Sequence, residues 1–552
     1  MNDPRYGGPV LINPGGPGGS GTSTARALGI YLQTIIDSPE DPSILKTWEQ
    51  QNASSAKYFD IIGFDPRGVG ETEPRAVCMP DVSSAWSWAL REETEGVFGS
   101  SDAALGRLWS MTKAYTSSCL QTMGAKEGPD VKQYLTTASV ARDMLELVER
   151  HAKFAHKVVS DTVTRGTSNR FATYVPPTFI PNKSKLQYWG FSYGTFLGST
   201  YAAMFPSRVG RLVLDGVVDS DEYLANLGYK SLHDSEKVMN SFYIYCASAG
   251  PAACPLAHSP DGSSPSTIEA RVKGVLESLY HNPLPVSSPL FGPELITYSD
   301  IKRLLFLALY FPETSFPALG LVLNDIANGN GSILAEAMRA NHIYTCPLPG
   351  QNTSAALLSE TVATTAILCS DGSNHLDVDI TAFEKHLNLL TELSPTAGPL
   401  WAILPLRCAH WGIQAQYRFT GPFEGVKTSN PILWISNTAD PVTPLVSARK
   451  MRKKFPGSGL VVAEATGHCS LASAITAPCT FRSVRAYFQT GEVVPEGEVK
   501  CPRVQDGEAG DSHDIDVEMM SMAARAARKF FYENVKFFGL SGRTEIGGRF
   551  SY

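Results

Sequence analysis

The sequence predicts an α/β fold in which helices cover both faces of a mostly parallel central sheet. Short apolar runs that indicate buried strands alternate with helical segments toward both ends of the chain. This alternation is typical of parallel sheets, because neighbouring parallel strands need a helix-length connection between them. A long middle block of helical segments, interrupted by Pro/Ser-rich stretches, breaks the alternation and predicts a helical insertion on the sheet.

Local patterns indicate the individual elements. The predicted strands are "PVLIN" (9–13), "KLQYWGFS" (185–192) and "VGRLVLDGV" (209–217), with "KYFDIIGFDPRG" (57–68) as a strand that ends in a turn. Two later stretches, "NPILWISNTADPVTP" (430–444) and "GSGLVVAEATGHCS" (457–470), are each predicted to be a strand followed by a loop. The predicted helices are "SGTSTARALGIYLQTII" (20–36), "TTASVARDMLELVERH" (136–151) and "YGTFLGSTYAAMFP" (193–206), the last one stopped by its proline. Strand and helix therefore alternate as a doubly covered sheet requires.

The chain divides into four predicted parts. Residues 1–218 form the first part of the α/β core, 219–428 a helical cap insertion, 429–502 the C-terminal part of the core, and 503–552 an extension with an amphipathic helix. We expect that helix to dock on the body, with a membrane-surface or partner-binding helix as the alternative. Residues 155–184 are predicted to be a polar loop, whereas about 2–6 residues usually join a helix to the next strand.

Composition excludes several classes of function. The chain has 552 residues, a net charge of −7 and 43% hydrophobic residues, as in an ordinary globular protein. An acidic balance argues against nucleic acid as the main partner, because binding it requires clustered Lys and Arg. No apolar run reaches the roughly 18 residues of a membrane span, and the first residues lack a basic-then-apolar signal peptide. The oligomeric state is not indicated.

Ten cysteines are many for an intracellular enzyme of this size. They form no CxxC pair, so zinc-ribbon spacing is absent and no metal site is predicted. An even count spread along the chain indicates some disulfides and favours a secreted protein, with buried free thiols as the alternative. Four N-x-[ST] sequons point the same way: Asn52, Asn182, Asn330 and Asn352.

The pentapeptide "GFSYG" (190–194) fits the pattern G-x-S-x-G, with a predicted strand before it and a helix after it. In that context the pattern makes a tight turn that exposes Ser192 Oγ at the carboxyl edge of the sheet. The first backbone N–H groups of the helix then point at the reacting carbonyl. An ordinary strand-to-helix turn is the alternative. We predict that Ser192 is a nucleophile.

A serine nucleophile needs an oriented base, and two later strands supply candidates. Asp440 in "NTADPVTP" and His468 in "EATGHCS" each follow one of the last predicted strands. The order Ser192, Asp440, His468 is the triad order of α/β-hydrolases. Three other histidines are weaker candidates that we interpret as structural or solvent-facing: His151, His156 and His410.

The stretch "LINPGGPGGSG" (11–21) matches the dinucleotide fingerprint G-x-G-x-x-G. A dinucleotide site would have an acidic residue about 20 residues further on, but the next strand ends at Asp65, 44 residues after Gly21. Pro17 also removes a backbone donor. We instead interpret the loop as an oxyanion-hole wall, with Gly16 as donor, Gly15 as the alternative, and Tyr193 as the second donor.

Together these segments resemble the tripeptidyl-aminopeptidase-like branch of the α/β-hydrolases, which is related to proline iminopeptidases. The motifs that match in order are "NPGGPGGSG", "FDPRGVGET", "GFSYGT", "ADPVTP" and "GHCS", with "AILCSDG" and "CAHWG" in the insertion and the stretch ending "GEVKCP". The resemblance implies a Ser192–Asp440–His468 triad, no cofactor, and removal of short peptides or single residues from free N-termini. Arg67 in "DPRG" matches a position that we interpret as structural.

The resemblance also leads to expectations about where this chain departs from the family. The family places an antiparallel strand pair before "PVLIN", so we expect an N-terminal truncation. The 155–184 loop is longer than the family's connection, and the extension after 502 has no counterpart. The insertion is expected to supply a carboxylate for the substrate's ammonium group, from Asp371, Asp234 or Glu236.

Three functions compete on the sequence alone. The first is a serine exopeptidase acting on short peptides. The second is an esterase, lactonase or thioesterase acting on a small ester, because the same triad serves both reactions and only the insertion differs. The third is a hydrolase-fold protein that has lost activity and acts as a binding module, against which the intact Ser192, Asp440 and His468 argue.

Overall fold

The computed structural model describes ten ranges of the chain. They are residues 3–40, 54–124, 129–164, 179–258, 263–289, 292–342, 353–373, 375–473, 477–493 and 497–503. The predicted helix of the 503–552 extension lies outside these ranges, apart from residue 503, and so does Cys346.

The strands form one large sheet and one hairpin. Their bounds are β1 Tyr6–Asn13, β2 Tyr58–Gly63, β3 Leu186–Phe191, β4 Val209–Asp215, β5 Leu284–Ser288, β6 Gly292–Ile296, β7 Ile432–Ala439, β8 Gly459–Thr466 and β9 Glu498–Cys501. The large sheet has the order β2-β1-β3-β4-β7-β8-β9, and every neighbouring pair in it is parallel. β5 and β6 pair antiparallel. The predicted mostly parallel sheet is confirmed.

The α-helices of the described ranges all lie between the first and the last of these strands in the chain. Their bounds are α1 Gly21–Ile36, α2 Val82–Glu95, α3 Ala104–Gln121, α4 Thr137–Thr164, α5 Tyr193–Met204, α6 Ser220–Ala225, α7 Ser235–Ala253, α8 Pro265–His281, α9 Tyr298–Ala308, α10 Pro312–Ala327, α11 Ser332–His342, α12 Thr353–Asp371, α13 Ile380–Leu393, α14 Gly398–Trp401, α15 Ile403–Ala409, α16 Leu445–Lys454 and α17 Cys479–Thr490. We call the segment between β4 and β7, residues 216–431, the insertion; it carries α6 to α15 and the β5–β6 hairpin.

One local prediction was wrong. The polar loop predicted to begin at residue 155 is still helix there, because α4 continues to Thr164. The physical reason lies in the apolar spacing: Val148 and Val159 are both buried, and eleven residues make close to three helical turns, so both lie on the same face. Residues 165–178 lie outside the described ranges.

The core consists of two apolar clusters, one on each side of the sheet. Along β3, Leu186 and Tyr188 belong to one cluster, while Trp189 and Phe191 belong to the other. Side chains alternate along a strand, so this division shows that both faces of the sheet are buried. Because the strands are parallel, their carboxyl ends share one edge, where ligands of open α/β sheets usually bind.

Four disulfides join parts of the chain that the structure describes: Cys78–Cys119, Cys246–Cys254, Cys369–Cys408 and Cys479–Cys501. They confirm the predicted disulfides. Cys469 is buried and unpaired. Within the described ranges, no helix combines the length and the apolarity that crossing a membrane requires.

Candidate active site

Ser192 lies in the turn between β3 and α5, at the carboxyl edge of the sheet. Its backbone has φ 55° and ψ −125°, a conformation that residues with a Cβ rarely adopt. The Ser192 N–H donates to the carbonyl of Asp215 at 2.9 Å, and its carbonyl accepts from Thr195 N at 2.8 Å. The side chain is half-buried, so a substrate can reach it. This strained backbone is the conformation that the predicted strand–turn–helix motif requires at its serine.

The two glycines of "GFSYG" are required by close packing. A Cβ on Gly190 would lie 2.4 Å from the Tyr188 ring and 2.5 Å from the Gly194 carbonyl. A Cβ on Gly194 would lie 2.8 Å from the carbonyl of Asn13. These distances are too short for real side chains, so the pattern G-x-S-x-G here reflects a genuine turn rather than chance.

Asp440 and His468 form a buried pair at the same edge. His468 Nδ1 lies 3.0 Å from both carboxylate oxygens of Asp440. Asp440 is fully buried, and its carboxylate also accepts from the backbone N–H groups of Val442, Thr443 and Cys469 at 3.0, 2.8 and 3.0 Å. These donors fix the orientation of the carboxylate toward His468. Because Nδ1 faces Asp440, Nε2 is left to accept a proton.

The Ser192 turn and the His468 loop meet around Asp215 and the residue after it. The Asp215 carboxylate accepts from Ser470 N at 2.7 Å and Ser470 Oγ at 2.5 Å. A Cβ on Gly216 would lie 3.4 Å from His468 Cε1. No hydrogen bond joins Ser192 Oγ to His468 among the described contacts of these two residues. The structure therefore brings Ser192 and His468 to neighbouring positions without a direct bond.

Burial raises the pKa of the Asp215 carboxyl to about 6, against the opposing hydrogen bonds from Ser470. Burial also raises the pKa of the Cys469 thiol well above its usual value, and the neighbouring Asp215 and Asp440 carboxylates act in the same direction. A thiol that stays protonated is a poor nucleophile, so Cys469 fills space next to the Ser192 turn.

The glycine-rich loop after β1 packs directly on the Ser192 turn. A Cβ on Gly15 would lie 2.7 Å from Ser192 Cβ and 3.1 Å from Tyr193 N. The Gly15 N–H donates to Asn13 Oδ1 at 2.9 Å and is thereby occupied. Gly16 is exposed and has φ 110°, which a residue with a side chain would adopt only with strain.

Asp65 holds the far end of this loop. Its carboxylate accepts from Ser20 Oγ at 2.7 Å, Thr22 N at 3.0 Å and Thr22 Oγ1 at 2.8 Å, and also from Glu71 N at 2.9 Å. Both oxygens of the Asp65 carboxylate therefore accept hydrogen bonds, most of them from the residues that begin α1. This use of Asp65 agrees with the argument against a dinucleotide site.

A buried network lies behind Tyr193. The Tyr193 hydroxyl and Thr137 Oγ1 are hydrogen-bonded, and Thr137 donates to Asp371 through its N at 2.8 Å and its Oγ1 at 2.5 Å. Tyr223 donates to the same carboxylate at 3.2 Å. Burial raises the pKa of Asp371 to about 7. Because Asp371 is fully engaged here, it is poorly placed to bind a substrate's ammonium group.

The other two predicted carboxylates lie at the start of α7. Asp234 is buried, with its Oδ1 3.0 Å from His233 Nδ1. Glu236 is half-buried, and its Oε1 accepts from Ser394 Oγ at 2.6 Å and Thr396 N at 2.9 Å. Glu236 also lines a cavity of about 480 Å³ between the insertion and residues Phe98 and Gly99; Ser192, Asp440 and His468 are not among its lining residues. Of the three candidates, Glu236 is the one that is not fully buried.

The insertion contacts both loops of the Asp440–His468 pair. The carbonyl of Tyr310 accepts from His468 N at 2.8 Å, and the Tyr310 ring meets the imidazole edge-on with centroids 5.0 Å apart. Ser235 Oγ donates to the carbonyl of Pro441 at 2.5 Å. Tyr310 and Ser235 could not be predicted from the sequence, because no local pattern relates either position to a loop more than 150 residues away.

The remaining predicted residues lie away from the pair. Arg67 forms a bidentate ion pair with Asp143 on α4, at 2.6 and 2.7 Å. His410 packs edge-on against Trp109, and burial lowers its pKa. His151 lies on α4, where burial likewise lowers its pKa; His156 lies one turn further along the same helix.

Thr443 and Asn437 are further residues that the sequence alone did not single out. Thr443 Oγ1 lies 3.1 Å from His468 Nδ1. Asn437 Nδ2 donates to the carbonyls of Gly467 and Cys469, both at 2.8 Å, on either side of the histidine. Thr443 stands three residues after Asp440 in "ADPVTP", so its motif position was the available signal. Among the described residues, no cluster of His, Cys, Asp or Glu could hold a metal ion.

Comparison with known proteins gives one family match and several distant relatives. Residues 394–501 match the model of the TAP-like protein family. Serine protease Hip1 of Mycobacterium tuberculosis is 26% identical over 502 residues, which cover 90% of this chain and 81% of that protein. Tripeptidyl aminopeptidase of Streptomyces coelicolor is 23% identical, covering 88% of this chain and 74% of that protein. Carboxylesterase B of M. tuberculosis is also 23% identical, covering 88% and 79%.

Proposed function

Because the chain is a TAP-like α/β-hydrolase, we propose that it is a serine peptidase that cleaves amide bonds near the free N-terminus of short peptides. Ser192 is the nucleophile, His468 the general base and then acid, and Asp440 the residue that orients His468. The observation that carries the proposal is the buried Asp440–His468 pair beside the strained, accessible Ser192. The named relatives support a peptidase.

In the first step Ser192 Oγ attacks the scissile carbonyl while its proton passes to His468 Nε2. The imidazole becomes an imidazolium next to the Asp440 carboxylate, which three backbone donors hold in place. The Ser192–His468 hydrogen bond is expected to form when substrate binds, as catalytic contacts often tighten only in the complex.

The developing oxyanion needs two donors. Tyr193 N begins α5 directly after the nucleophile. Gly16 is favoured over Gly15 as the second donor, because the Gly15 N–H is occupied by Asn13 and Gly16 is exposed. One such donor contributes about 3 kcal/mol of transition-state stabilisation in other enzymes. The Asp371 network would stabilise this wall from behind by holding the Tyr193 side chain.

The tetrahedral intermediate then collapses. The C–N bond breaks, and His468 gives its proton to the leaving amine, so that the shortened peptide departs and Ser192 carries an acyl ester. Water attacks the ester with His468 again acting as base, and the released acid restores Ser192. Each step uses only protons, water and the residues named, so the residues present account for the reaction.

Selectivity for a free N-terminus requires a negative group at a fixed distance from Ser192. We assign this role to Glu236, whose neighbour Ser235 contacts the loop of Asp440. The insertion would then act as a cap that admits short, unfolded peptides. Asp371 and Asp234 fit the role less well, since both are buried, whereas Glu236 is half-buried and lines a cavity.

An esterase is the second candidate function. It is favoured by the similarity to carboxylesterase B and by the fact that ester cleavage uses the same intermediate. The two candidates differ in whether a free amine improves turnover, which can be measured directly.

The test compares three substrates with the purified full chain: a free-amine tripeptide anilide, its N-acetylated counterpart and a p-nitrophenyl ester. We expect kcat/KM for the free-amine peptide to exceed that for the acetylated one by about tenfold or more, as loss of a matched charged contact implies. Ser192→Ala should abolish turnover, while Ser199→Ala, a buried serine on the same helix, should retain it. Preference for the acetylated peptide or for the ester would contradict an aminopeptidase.

A further inference from the structure

We propose that Tyr310 is a positioning residue for His468, so that the insertion sets the geometry of the general base and does more than select substrates. The proposal rests on the proposed role of His468. It concerns a residue of the insertion that lies 158 positions before the histidine and has no part in the bond-making steps.

The contact between the two residues has two components. The His468 N–H donates to the Tyr310 carbonyl at 2.8 Å, which fixes the backbone of the loop. The Tyr310 ring meets the imidazole at 77° with centroids 5.0 Å apart, a favourable edge-to-face geometry. Asp440 and Thr443 contact only the Nδ1 side of the imidazole. The Tyr310 ring adds a packing contact that limits rotation of the imidazole about its Cβ–Cγ bond.

The sequence at position 467 is adapted to this contact. Gly467 has φ 115°, and a Cβ there would lie 2.7 Å from Pro312 Cδ and 3.1 Å from the Tyr310 carbonyl. The residue before the histidine therefore must be glycine for the turn between α9 and α10 to approach this closely. The close contact therefore depends on the sequence of both the Tyr310 turn and the His468 loop.

The insertion holds the Asp440 loop as well. Ser235 Oγ donates to the Pro441 carbonyl, and Lys237 Nζ donates to the Thr438 carbonyl at 2.8 Å. Both loops of the acid–base pair therefore rest on the insertion. By contrast, the Ser192 backbone is held by Asp215 of the core sheet. Nucleophile and base are positioned by different parts of the molecule.

This arrangement separates two roles that the insertion could have. If it only bound substrate, weakening its contact with His468 would impair peptides and leave small esters unaffected. If the insertion positions the base, weakening its contact with His468 lowers kcat for every substrate, because each substrate needs proton transfer through His468. A displacement of about 1 Å at a catalytic group can cost about 100-fold in rate.

The experiment compares Tyr310→Leu with Phe316→Leu. Phe316 is a buried ring of the insertion that packs on Phe242, so the two variants lose similar apolar packing, but only Tyr310 touches His468. We expect Tyr310→Leu to lower kcat by about 10- to 100-fold for both p-nitrophenyl acetate and the free-amine tripeptide anilide, with KM little changed. The rate of labelling by a fluorophosphonate should fall in parallel. Phe316→Leu should change none of these.

Tyr310→Phe keeps the aromatic ring and is the second test variant, which is used if Tyr310→Leu does not fold. We expect it to retain kcat within about threefold of wild type, since the ring and the backbone carbonyl both remain. The proposal is overturned if Tyr310→Leu changes only the peptide's KM, if Phe316→Leu lowers kcat equally, or if Tyr310→Phe is as impaired as a triad variant. Wild-type protein that turns over neither substrate and takes no label contradicts the proposed function itself.

Discussion

The core and the insertion contribute to the site in different ways. The core supplies Ser192, Asp440 and His468 from loops at the carboxyl ends of β3, β7 and β8, and hydrogen bonds within the core hold the Ser192 backbone and the Asp440 carboxylate. The insertion supplies Tyr310 and Ser235, which contact those loops from far away in the sequence. The comparison teaches that the chemical groups are specified locally, while their final alignment depends on long-range packing.

The core's contribution should show the largest effect. Asp440→Asn is expected to lower kcat by about 10³- to 10⁴-fold, because the amide no longer stabilises the imidazolium and can favour the wrong tautomer of His468. Steady-state kinetics on the tripeptide anilide measure this loss. Asp143→Asn, which breaks only the partly exposed pair with Arg67, is the matched control and should stay near wild type. Equal losses in both variants would contradict the assignment.

Asp371 joins the insertion to the core and should govern stability more than rate. Burial raises the pKa of Asp371 in the folded state to about 7, from its ordinary value of 3.8. Between these values the folded state holds a proton that the unfolded state has lost, so stability falls as pH rises. Between pH 5 and pH 8 the free energy of unfolding of the wild type is therefore expected to decline with rising pH. Asp371→Asn should remove about 3 kcal/mol of that decline, since about two pH units of the interval lie below pH 7 and each contributes about 1.4 kcal/mol.

Urea unfolding of wild type and Asp371→Asn at both pH values measures the difference. Asp215 contributes a decline of the same sign up to about pH 6 and remains in both proteins. Asp143→Asn again provides the comparison, because that carboxylate is half-exposed. An unchanged pH dependence in Asp371→Asn would show that its proton is not retained in the folded state.

Glu236 tests whether the insertion recognises the substrate's amine. Glu236→Gln is expected to lower kcat/KM for the free-amine peptide by about tenfold, because a charge-assisted hydrogen bond to the amine is lost. The kcat/KM for the acetylated peptide should not change. The two substrates are compared in one assay series with wild type, Glu236→Gln and Glu269→Gln, which alters another carboxylate of the same cavity. A similar loss for both substrates would assign Glu236 a structural role.

Cys469 should show almost no catalytic effect, although it is next to His468. Its thiol is buried and its pKa is raised, so it is expected to be neither nucleophilic nor reactive in the folded protein. Cys469→Ala should keep kcat within about threefold of wild type. In the folded state, wild type and Cys469→Ala should have the same number of thiols that react with a disulfide reagent. In denaturant, the variant should have one reactive thiol fewer than the wild type. If the folded variant has one reactive thiol fewer than the folded wild type, Cys469 is accessible and reactive, which contradicts this prediction.

The sequence predicted the parallel sheet because strands and helices carry different apolar periods along the chain. It also predicted the residues at the strand ends, since "GFSYG", Asp440 and His468 follow recognisable strands. It placed the end of α4 wrongly at about residue 155, because the polar residues there masked the one-sided spacing of Val148 and Val159. Helix ends depend on such weak signals.

Other features could not be predicted from the sequence. The use of Asp371 depends on Thr137 and Tyr193, which come from two other helices. A motif shows that an aspartate is present, but only the packed fold shows which groups surround it. The contact of Tyr310 with His468 has the same origin.

The central claim is that Ser192 is the nucleophile of this protein. Its most direct test is to treat the full chain with a fluorophosphonate, digest it and locate the adduct by mass spectrometry. We predict a single adduct on Ser192, absent from Ser192→Ala and retained in Ser199→Ala, which removes a buried serine of the same helix. An adduct on another residue, or equal labelling of Ser192→Ala, would contradict the account.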